Sequence, residues 1–225
     1  MLAPDVVSAA QEHDATVVFI HGLGQSNLTW KSDVVAALAP KFPNVEWILP
    51  NAPKRPVSYN DGMERPSWFD IAHLPPYDDE YNKAAITESI SVVHHLIETQ
   101  VTAGIDPRRI ILIGFSQGAA LSLMASLTSS YALGGVVSFS GWIPPRFRQE
   151  AFSRETSPYK IFWCHGDTDD EIPLSYGRDA IAFLKTRMNY SEPETLQMSV
   201  YEGLSHTING EEVADVGTWL SSILS

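Results

Sequence analysis

The sequence predicts an α/β fold built on a mostly parallel central sheet that carries helices on both faces. Short runs rich in Val, Ile, Leu and Phe alternate along the chain with segments of helical periodicity, as in a parallel sheet with crossover helices. The runs are nearly continuous rather than alternating, which favours strands covered on both faces. The predicted strands are residues 15–20, 45–49, 110–113, 135–139, 161–164 and 196–201.

Three segments between these strands repeat apolar residues every three or four positions, as one face of a helix does. The first repeat predicts a helix from residue 86 to about residue 103, where Gly104 and Pro107 end it. The same spacing predicts helices over residues 180–188 and 213–223. Right-handed crossovers then place the carboxyl ends of the strands at one edge of the sheet, where ligands bind.

Two proline-rich stretches, residues 51–80 and 141–158, show no periodicity and are predicted to be long loops that leave strand carboxyl ends. Long loops in compact domains are commonly functional, so we expect them to wall a substrate site. The alternative is that these two loops merely cover one end of the sheet. The first loop carries large apolar side chains, which favour a site for an apolar substrate. These side chains are Trp68, Phe69, Ile71, Leu74 and Tyr77.

Length and composition fit one globular domain, which we predict to span residues 1–225 with a loosely ordered segment at 1–14. The 27 acidic residues outnumber the 15 Lys and Arg residues, so the formal net charge is −12. Nucleic-acid binding needs clustered basic residues, and so does electrostatic docking on anionic lipid. The sequence contains no run of basic residues, so we do not expect nucleic acid as a partner.

No apolar run approaches the roughly 20 residues of a membrane-spanning helix, so stable insertion into a membrane is not expected. The first residues lack the basic and apolar regions of a secretory signal. The single cysteine, Cys164, excludes an intramolecular disulfide, which is compatible with a reducing compartment. We expect a cytoplasmic protein, with the nucleus as a second compartment, that is a monomer or a weak homodimer.

The strongest chemical signal is the pentapeptide Gly-Phe-Ser-Gln-Gly from Gly114 to Gly118, which follows a predicted strand and opens a helix of small residues. A nucleophile elbow requires this context, because the sharp turn lifts a serine hydroxyl clear of the sheet. Glycines flank the turn since it leaves little room for side chains two residues either side of the serine. Ser116 is therefore the candidate nucleophile, with an ordinary tight turn as the alternative.

A serine hydroxyl needs a neighbouring base, and His21, His165 and His206 all follow predicted strands. In this architecture the order along the chain is serine, acid, histidine, so the base must follow Ser116. His165 leaves too little room for an acid on its own strand before it, which makes His206 the better candidate. We expect His21 and His165 to hold loops by hydrogen bonding.

The acid that orients the base is expected at the end of the predicted strand 161–164. Three aspartates lie there, Asp167, Asp169 and Asp170, and the residue pattern alone does not choose among them. Turn formation or helix capping is the alternative role for each.

An oxyanion formed during acyl transfer needs two N–H donors. The helix that opens after Ser116 supplies the N–H of Gln117, and the tetrapeptide His-Gly-Leu-Gly at residues 21–24 supplies a second backbone donor. The sequence has no cysteine pair, no His-x-x-x-His motif and no glycine-rich phosphate loop with a lysine. No metal or cofactor is therefore expected.

These motifs resemble those of the acyl-protein thioesterase and small carboxylesterase branch of the α/β-hydrolases. The similarity extends in order over nearly the whole chain and includes Pro-Ser-Trp-Phe-Asp at residues 66–70, which is quite specific to this group. It implies an α/β-hydrolase fold without a large cap domain. It also implies hydrolysis of long-chain acyl thioesters on proteins, of lysophospholipids and of small esters. The sequence departs from the family's pattern at Gln25, Asn27 and Asp170, which bears on the choice of substrate.

The resemblance also implies which residues form the site. The implied catalytic and oxyanion residues are the acid Asp169, the base His206 and the N–H donors Leu23 and Gln117. Two apolar residues are implied to line an acyl channel, Leu74 and Trp142.

The sequence thus predicts a serine hydrolase that cleaves acyl thioesters, depalmitoylates S-acylated proteins and also hydrolyses esters. A lysophospholipase or a short-chain carboxylesterase is the alternative, with acyl-ester lipids as substrates. A non-catalytic ligand-binding protein of the same fold is disfavoured by the complete set of Ser116, Asp169 and His206. A peptidase is disfavoured because 225 residues leave little room for a peptide groove or cap.

Overall fold

The computed structural model describes residues 3–151 and 158–224. Nine strands lie in these ranges: β1 (Asp5–Val7), β2 (Ala15–Ile20), β3 (Val45–Leu49), β4 (Lys54–Val57), β5 (Met63–Pro66), β6 (Ile110–Phe115), β7 (Gly135–Phe139), β8 (Lys160–Gly166) and β9 (Leu196–Tyr201). Seven of them form one sheet in the order β1-β3-β2-β6-β7-β8-β9. Neighbouring strands in this sheet are parallel except β1 and β3. The predicted mostly parallel sheet is confirmed.

Helices connect the strands in the order that the alternation predicts. They are α1 (Ala36–Leu38), α2 (Lys83–Thr102), α3 (Gln117–Thr128), α4 (Pro145–Ala151), α5 (Leu174–Arg187) and α6 (Gly210–Leu224). A π turn, Lys31–Val35, and a 3-10 turn, Ala39–Lys41, extend α1 at its two ends. The predicted helices at 86–103, 180–188 and 213–223 correspond to α2, α5 and α6, whereas α1 and α4 were not predicted.

Helices cover both faces of the sheet because successive residues of each strand point to opposite sides and both sides are apolar. On one side, Val18 and Leu112 belong to a core with residues of α2, α3, α4 and α5. On the other side, Val17 and Ile111 belong to a core with residues of α1 and α6. This burial on two sides explains why the strand sequences are almost continuously apolar.

Parallel pairing brings the carboxyl ends of the inner strands to one edge of the sheet. In register, Ile20 of β2 lies beside Gly114 of β6. Phe115 lies beside Phe139 of β7, which in turn lies beside Cys164 of β8. The loops that follow these strands therefore meet at one place.

The amino-terminal segment differs from its prediction. Within residues 1–14, which were expected to be loosely ordered, β1 pairs antiparallel with β3 at the edge of the sheet. Asp5 also forms a 2.5 Å ion pair with Lys31. A run of three residues is too short to be recognised as a strand from its sequence, since the pairing partner lies about 40 residues away.

The segment 51–80, predicted to be a loop without regular structure, contains the antiparallel hairpin β4–β5. Its turn places Asp61 and Gly62 at φ values of 54° and 74°. Pro56 and Pro66 hid the hairpin in the sequence, because proline removes a donor from the strand ladder. Both are tolerated since a two-stranded hairpin leaves the outer edge of each strand unpaired.

The segment 141–158, also predicted to be a loop, contains the short helix α4. Residues 152–157 of that segment lie outside the described residues. Across 3–151 and 158–224 the connections between strands are single helices, the hairpin and loops, including residues 67–82 between β5 and α2, with no large cap domain. In the same ranges, every helix is too short or too polar to cross a membrane.

Candidate active site

Ser116 lies on a tight turn between β6 and α3. Its φ and ψ of 54° and −120° fall outside the regions that non-glycine residues favour, as strain at a nucleophile elbow requires. Its N–H donates a 2.9 Å hydrogen bond to the carbonyl oxygen of Phe139 on β7, which holds the turn against the sheet. The turn predicted at residues 114–118 is therefore present in the structure.

The two glycines of the elbow are required because backbone atoms crowd their Cα atoms. A Cβ on Gly114 would lie 2.3 Å from the carbonyl oxygen of Gly118. A Cβ on Gly118 would lie 2.1 Å from the carbonyl oxygen of Ile20 on β2. Contacts this short would displace either the turn or the strand, so any side chain at these positions disrupts the elbow.

His206 lies in the loop between β9 and α6, and its ring lies between Ser116 and Asp169. Nε2 is 2.9 Å from Oγ of Ser116, and Nδ1 is 2.7 Å from Oδ2 of Asp169. An ionised carboxylate can only accept, so Nδ1 carries the hydrogen and Nε2 can accept the serine proton. The ring also packs against Phe115, with ring centroids 4.8 Å apart. The three polar residues thus form one hydrogen-bonded chain from hydroxyl to carboxylate.

The carboxyl of Asp169 is buried and fixed by its own loop. Its Oδ1 accepts hydrogen bonds from the N–H groups of Glu171, at 3.1 Å, and Ile172, at 2.8 Å. Burial opposes ionisation, but the hydrogen bond and the charge of His206 outweigh it and hold the pKa of Asp169 below its ordinary value. An ionised, immobile carboxylate is therefore available to orient His206.

The other two candidate aspartates do not reach His206. Asp167 accepts a 2.7 Å hydrogen bond from the N–H of Gly203, which shapes the loop that leads to His206. Asp170 is exposed. The structure therefore brings Asp169, and not its neighbours, to the base.

His165 supports the loop that carries Asp169. It is buried, its Nε2 donates to the carbonyl oxygen of Ile172 at 2.7 Å, and its Nδ1 accepts the indole N–H of Trp163 at 3.2 Å. Burial lowers the pKa of His165, so the ring is neutral at physiological pH. It fixes the backbone beside the acid, as the sequence predicted.

His21 plays a similar part in the loop after β2. Its Nε2 accepts the N–H of Ala52 at 3.1 Å, and its Nδ1 donates to the carbonyl oxygen of Gly22 at 2.8 Å. Burial lowers the pKa of His21 to about 4. The expectation that it holds a loop by hydrogen bonding is confirmed.

Two backbone N–H groups beside Ser116 are available to bind an oxyanion. Gln117 is the first residue of α3, so its N–H has no acceptor in a preceding helical turn. For the N–H of Leu23, too, no acceptor is found in the described part of the chain. Both residues line the same cavity as Ser116. The structure therefore brings both residues expected as donors to the cavity at Ser116.

Gln25 is one of the departures from the family's pattern. It holds residues 21–24, here called the oxyanion loop, in place. Its Oε1 accepts 2.9 Å hydrogen bonds from the N–H of Gly22 and from the indole N–H of Trp30. The side chain therefore closes the turn that presents Leu23. An uncharged acceptor serves this purpose here.

A cavity of about 360 Å³ opens at Ser116, a volume in the range of small-molecule sites. The oxyanion loop, the hairpin β4–β5 and the segment that follows it contribute its walls. Leu74 lines this cavity, as expected. Within residues 3–151 and 158–224, no group of three or more His, Cys, Asp and Glu side chains is placed to hold a metal ion.

Trp142 was expected beside Leu74 but does not line this cavity. Its ring is buried, lies 6.3 Å from the ring of Phe69 and lines a second cavity of about 340 Å³. The difference arises because Trp142 is buried within the core on the side of α2–α5, whereas Leu74 is only partly buried and packs against that core. The structure therefore brings one of the two expected channel residues to Ser116.

Glu171 is a charged residue of the site that the sequence analysis did not identify. Its Oε2 lies 3.7 Å from Nε2 of His206, and the side chain lines the cavity at Ser116. It stands in a loop rich in acidic residues, where turn formation and solvation explain most carboxylates. No pattern in the sequence distinguishes it.

The fold and this Ser–His–Asp arrangement define an α/β-hydrolase with a candidate serine-hydrolase site. The chain matches the phospholipase/carboxylesterase family over residues 2–224 and belongs to that family. It is 38% identical to acyl-protein thioesterase 1 of Cryptococcus neoformans over 97% of this chain and 96% of the relative. It is 35% identical to acyl-protein thioesterase 1 of Yarrowia lipolytica over 95% and 94%.

Solved structures show the same likeness in three dimensions. Arabidopsis thaliana SOBER1 superposes with a TM-score of 0.84 at 29% identity, covering 94% of this chain and 99% of that one. Zea mays acyl-protein thioesterase 2 superposes with a TM-score of 0.82 at 29% identity, covering 99% of each chain. The similarity therefore includes the whole hydrolase fold and not a local motif.

Proposed function

We propose that this protein is a serine hydrolase that cleaves the thioesters of S-acylated proteins and also hydrolyses oxyesters. One observation carries the proposal: Ser116, His206 and Asp169 form a hydrogen-bonded chain at a cavity that also presents two N–H groups. Relatives at 35–38% identity are named acyl-protein thioesterases, which supports a thioester as the substrate.

In the acylation step, Oγ of Ser116 attacks the carbonyl carbon of the thioester while its proton passes to Nε2 of His206. Asp169 holds the ring in the required tautomer and stabilises the imidazolium. The carbon–sulfur bond then breaks, and the leaving sulfur takes the proton from His206. The products of this step are a free thiol and an acyl ester on Ser116.

In the deacylation step, water replaces the thiol beside His206 and loses a proton to Nε2 as it attacks the acyl ester. The proton then returns to Oγ of Ser116, and a carboxylic acid leaves. In both steps the N–H groups of Leu23 and Gln117 hold the negatively charged oxygen. A donor of this kind typically contributes ~10²–10³ in rate.

A lysophospholipase or a short-chain carboxylesterase is the second candidate, and the description of the family favours keeping it. These activities use the same three residues and differ only in leaving group and acyl chain. Relative rates on matched substrates therefore distinguish the candidates, whereas the position of the catalytic residues does not.

The test is a side-by-side series of acyl thioesters and oxyesters with acyl chains from two to at least eight carbons, measured below their micelle concentrations. The proposal expects thioesters to be hydrolysed faster than matched oxyesters and long chains faster than acetyl. Ser116→Ala should abolish both activities, whereas Ser205→Ala, a change at an exposed serine beside His206, is the matched control. A preference for acetyl oxyesters would support the second candidate instead.

A further inference from the structure

The carboxylate of Glu171 lies beside Nε2 of His206, the atom that accepts and returns the proton during the reaction. Glu171 lies in the loop between β8 and α5, and its Oε2 is 3.7 Å from Nε2 of His206. Its N–H donates to Oδ1 of Asp169, so the backbone of this residue is fixed by the same carboxylate that orients the base. The side chain itself is 51% exposed, and in the described part of the chain His206 is the one basic side chain within 4 Å of its carboxylate.

The position of Nε2 of His206 places the leaving group of the substrate beside Glu171. This nitrogen lies 2.9 Å from Oγ of Ser116 and must return its proton to the departing sulfur. The leaving group therefore comes within hydrogen-bond distance of Nε2 when the carbon–sulfur bond breaks. Because the carboxylate of Glu171 is within 4 Å of the same atom and lines the same cavity, it flanks the path of the leaving group.

We propose that Glu171 selects substrates by the charge of the thiol leaving group. Thiols that carry a positive charge a few atoms from the sulfur are preferred, and thiols that carry a negative charge there are disfavoured. On a protein substrate, the preferred site is an acylated cysteine with Lys or Arg beside it. This inference rests on the proposed thioesterase function.

Arg65 is a second charged residue in the cavity wall. Its positive charge would favour an anionic leaving group, which is the opposite of the preference expected from Glu171. It lies on β5 and is exposed. No contact within 4 Å joins its guanidinium to a carboxylate of the site among the described residues. Glu171, in contrast, contacts the reacting histidine directly, so the carboxylate determines the preference at the leaving group.

The expected size of the effect follows from Coulomb's law. A unit charge on the leaving group, roughly 7 Å from the carboxylate at a partly exposed site, changes the rate by a factor of about five to ten. Salt weakens the effect because the side chain is half exposed. The cationic-to-anionic preference combines attraction and repulsion, so it is larger than either effect alone.

The test uses three S-octanoyl thioesters whose thiols have the same two-carbon spacing but different charges. They are the thioesters of thiocholine (cationic), N-acetylcysteamine (neutral) and 2-mercaptoethanesulfonate (anionic). Thiol release at low ionic strength gives kcat/KM for each, and the readout is the cationic-to-anionic ratio. We expect this ratio to exceed about ten in the unmodified protein and to shrink as salt is added.

Two variants and one matched control assign the ratio to its cause. Glu171→Gln removes both the attraction and the repulsion, so it should lower the ratio by about 25- to 100-fold, and Glu171→Lys should invert the preference. Glu194→Gln removes the same charge just before β9, at the opposite edge of the sheet, and should leave the ratio unchanged. A merely structural role of Glu171 would change all three substrates alike.

Three outcomes would overturn the inference. An unchanged ratio in Glu171→Gln would assign the preference to the net charge of the protein, and a preference for the sulfonate would assign it to Arg65. A failure of the proposed function looks different: the neutral thioester would then show no hydrolysis that depends on Ser116. That result would remove the thioesterase assignment and this inference together.

Discussion

The side-chain amide of Gln117 donates a 2.7 Å hydrogen bond from Nε2 to the carbonyl oxygen of Phe69. Its Oε1 accepts the N–H of Trp68 at 2.9 Å. The indole N–H of Trp68 in turn donates to the carbonyl oxygen of His21 at 2.8 Å. The residue after Ser116 therefore joins the elbow, the segment after β5 and the oxyanion loop into one network.

We predict that Gln117→Ala weakens both the fold and catalysis. The substitution leaves the buried N–H of Trp68 without a partner, which costs about 1–3 kcal/mol, whereas the carbonyl oxygen of Phe69 still accepts a 2.7 Å hydrogen bond from Ser67. The melting temperature should fall by several degrees, and kcat should fall with it. Thermal unfolding and thioester kinetics check this. Gln197→Ala, the same change at an exposed position of β9, should alter neither quantity; equal effects would contradict the network.

Asp169→Asn should be far more damaging than Asp167→Asn. Asparagine at 169 would favour the wrong tautomer of His206 and, on the template of serine proteases, lower kcat by about 10⁴. Asparagine at 167 keeps an oxygen that can accept the N–H of Gly203, so activity should largely remain. Steady-state kinetics of the two folded variants decide the matter, and the acid would be misassigned if Asp167→Asn were the inactive one.

Leu74 should determine the preference for long acyl chains. It lines the cavity at Ser116, and each buried methylene contributes about 0.8 kcal/mol, so we expect kcat/KM to rise from two to at least eight carbons. Leu74→Asp should flatten this profile and affect acetyl substrates little.

Trp142→Phe is the informative comparison for Leu74, because Trp142 lines the second cavity. It keeps a buried aromatic ring and should leave the slope of the chain-length profile intact. If Trp142→Phe flattened the slope as strongly as Leu74→Asp, the acyl chain would extend into the second cavity.

The parts of this protein that the sequence predicted depend on local rules. The elbow is recognisable because backbone crowding demands glycine at Gly114 and Gly118, and strands such as β6 are recognisable because both faces are buried. The hairpin β4–β5 was missed because Pro56 and Pro66 interrupt the strand pattern. The strand β1 was missed because its partner, β3, lies about 40 residues along the chain. The proximity of Glu171 to His206 was missed for the same reason, because the two residues are 35 positions apart in the sequence.

Buried Glu212 should make stability depend on pH. Burial, reinforced by the charges of Asp169 and Asp215, raises the pKa of Glu212 from 4.5 to about 7. Its Oε2 accepts the N–H of Asn209, whereas its Oε1 lacks a hydrogen-bond partner in the described part of the chain. Between pH 4.5 and 7 the folded state binds more protons than the unfolded state, so this carboxyl's contribution to stability falls as pH rises.

Glu212→Gln removes this titration and keeps the acceptor for Asn209. The melting temperature of the variant relative to the unmodified protein should increase from pH 5 to pH 8. Glu98→Gln changes an exposed glutamate on α2 and should show no such trend. A difference in melting temperature that stays constant across this pH range would contradict the raised pKa.

The most direct test of the central claim is to locate the serine that reacts with a fluorophosphonate probe, using peptide mass spectrometry. Ser116 is activated by a 2.9 Å hydrogen bond to His206, so the probe should label Ser116. Ser116→Ala should lose both the label and thioester hydrolysis, whereas Ser205→Ala should keep both. A label on another serine, or hydrolysis that survives in Ser116→Ala, would contradict the assignment of Ser116 as the nucleophile.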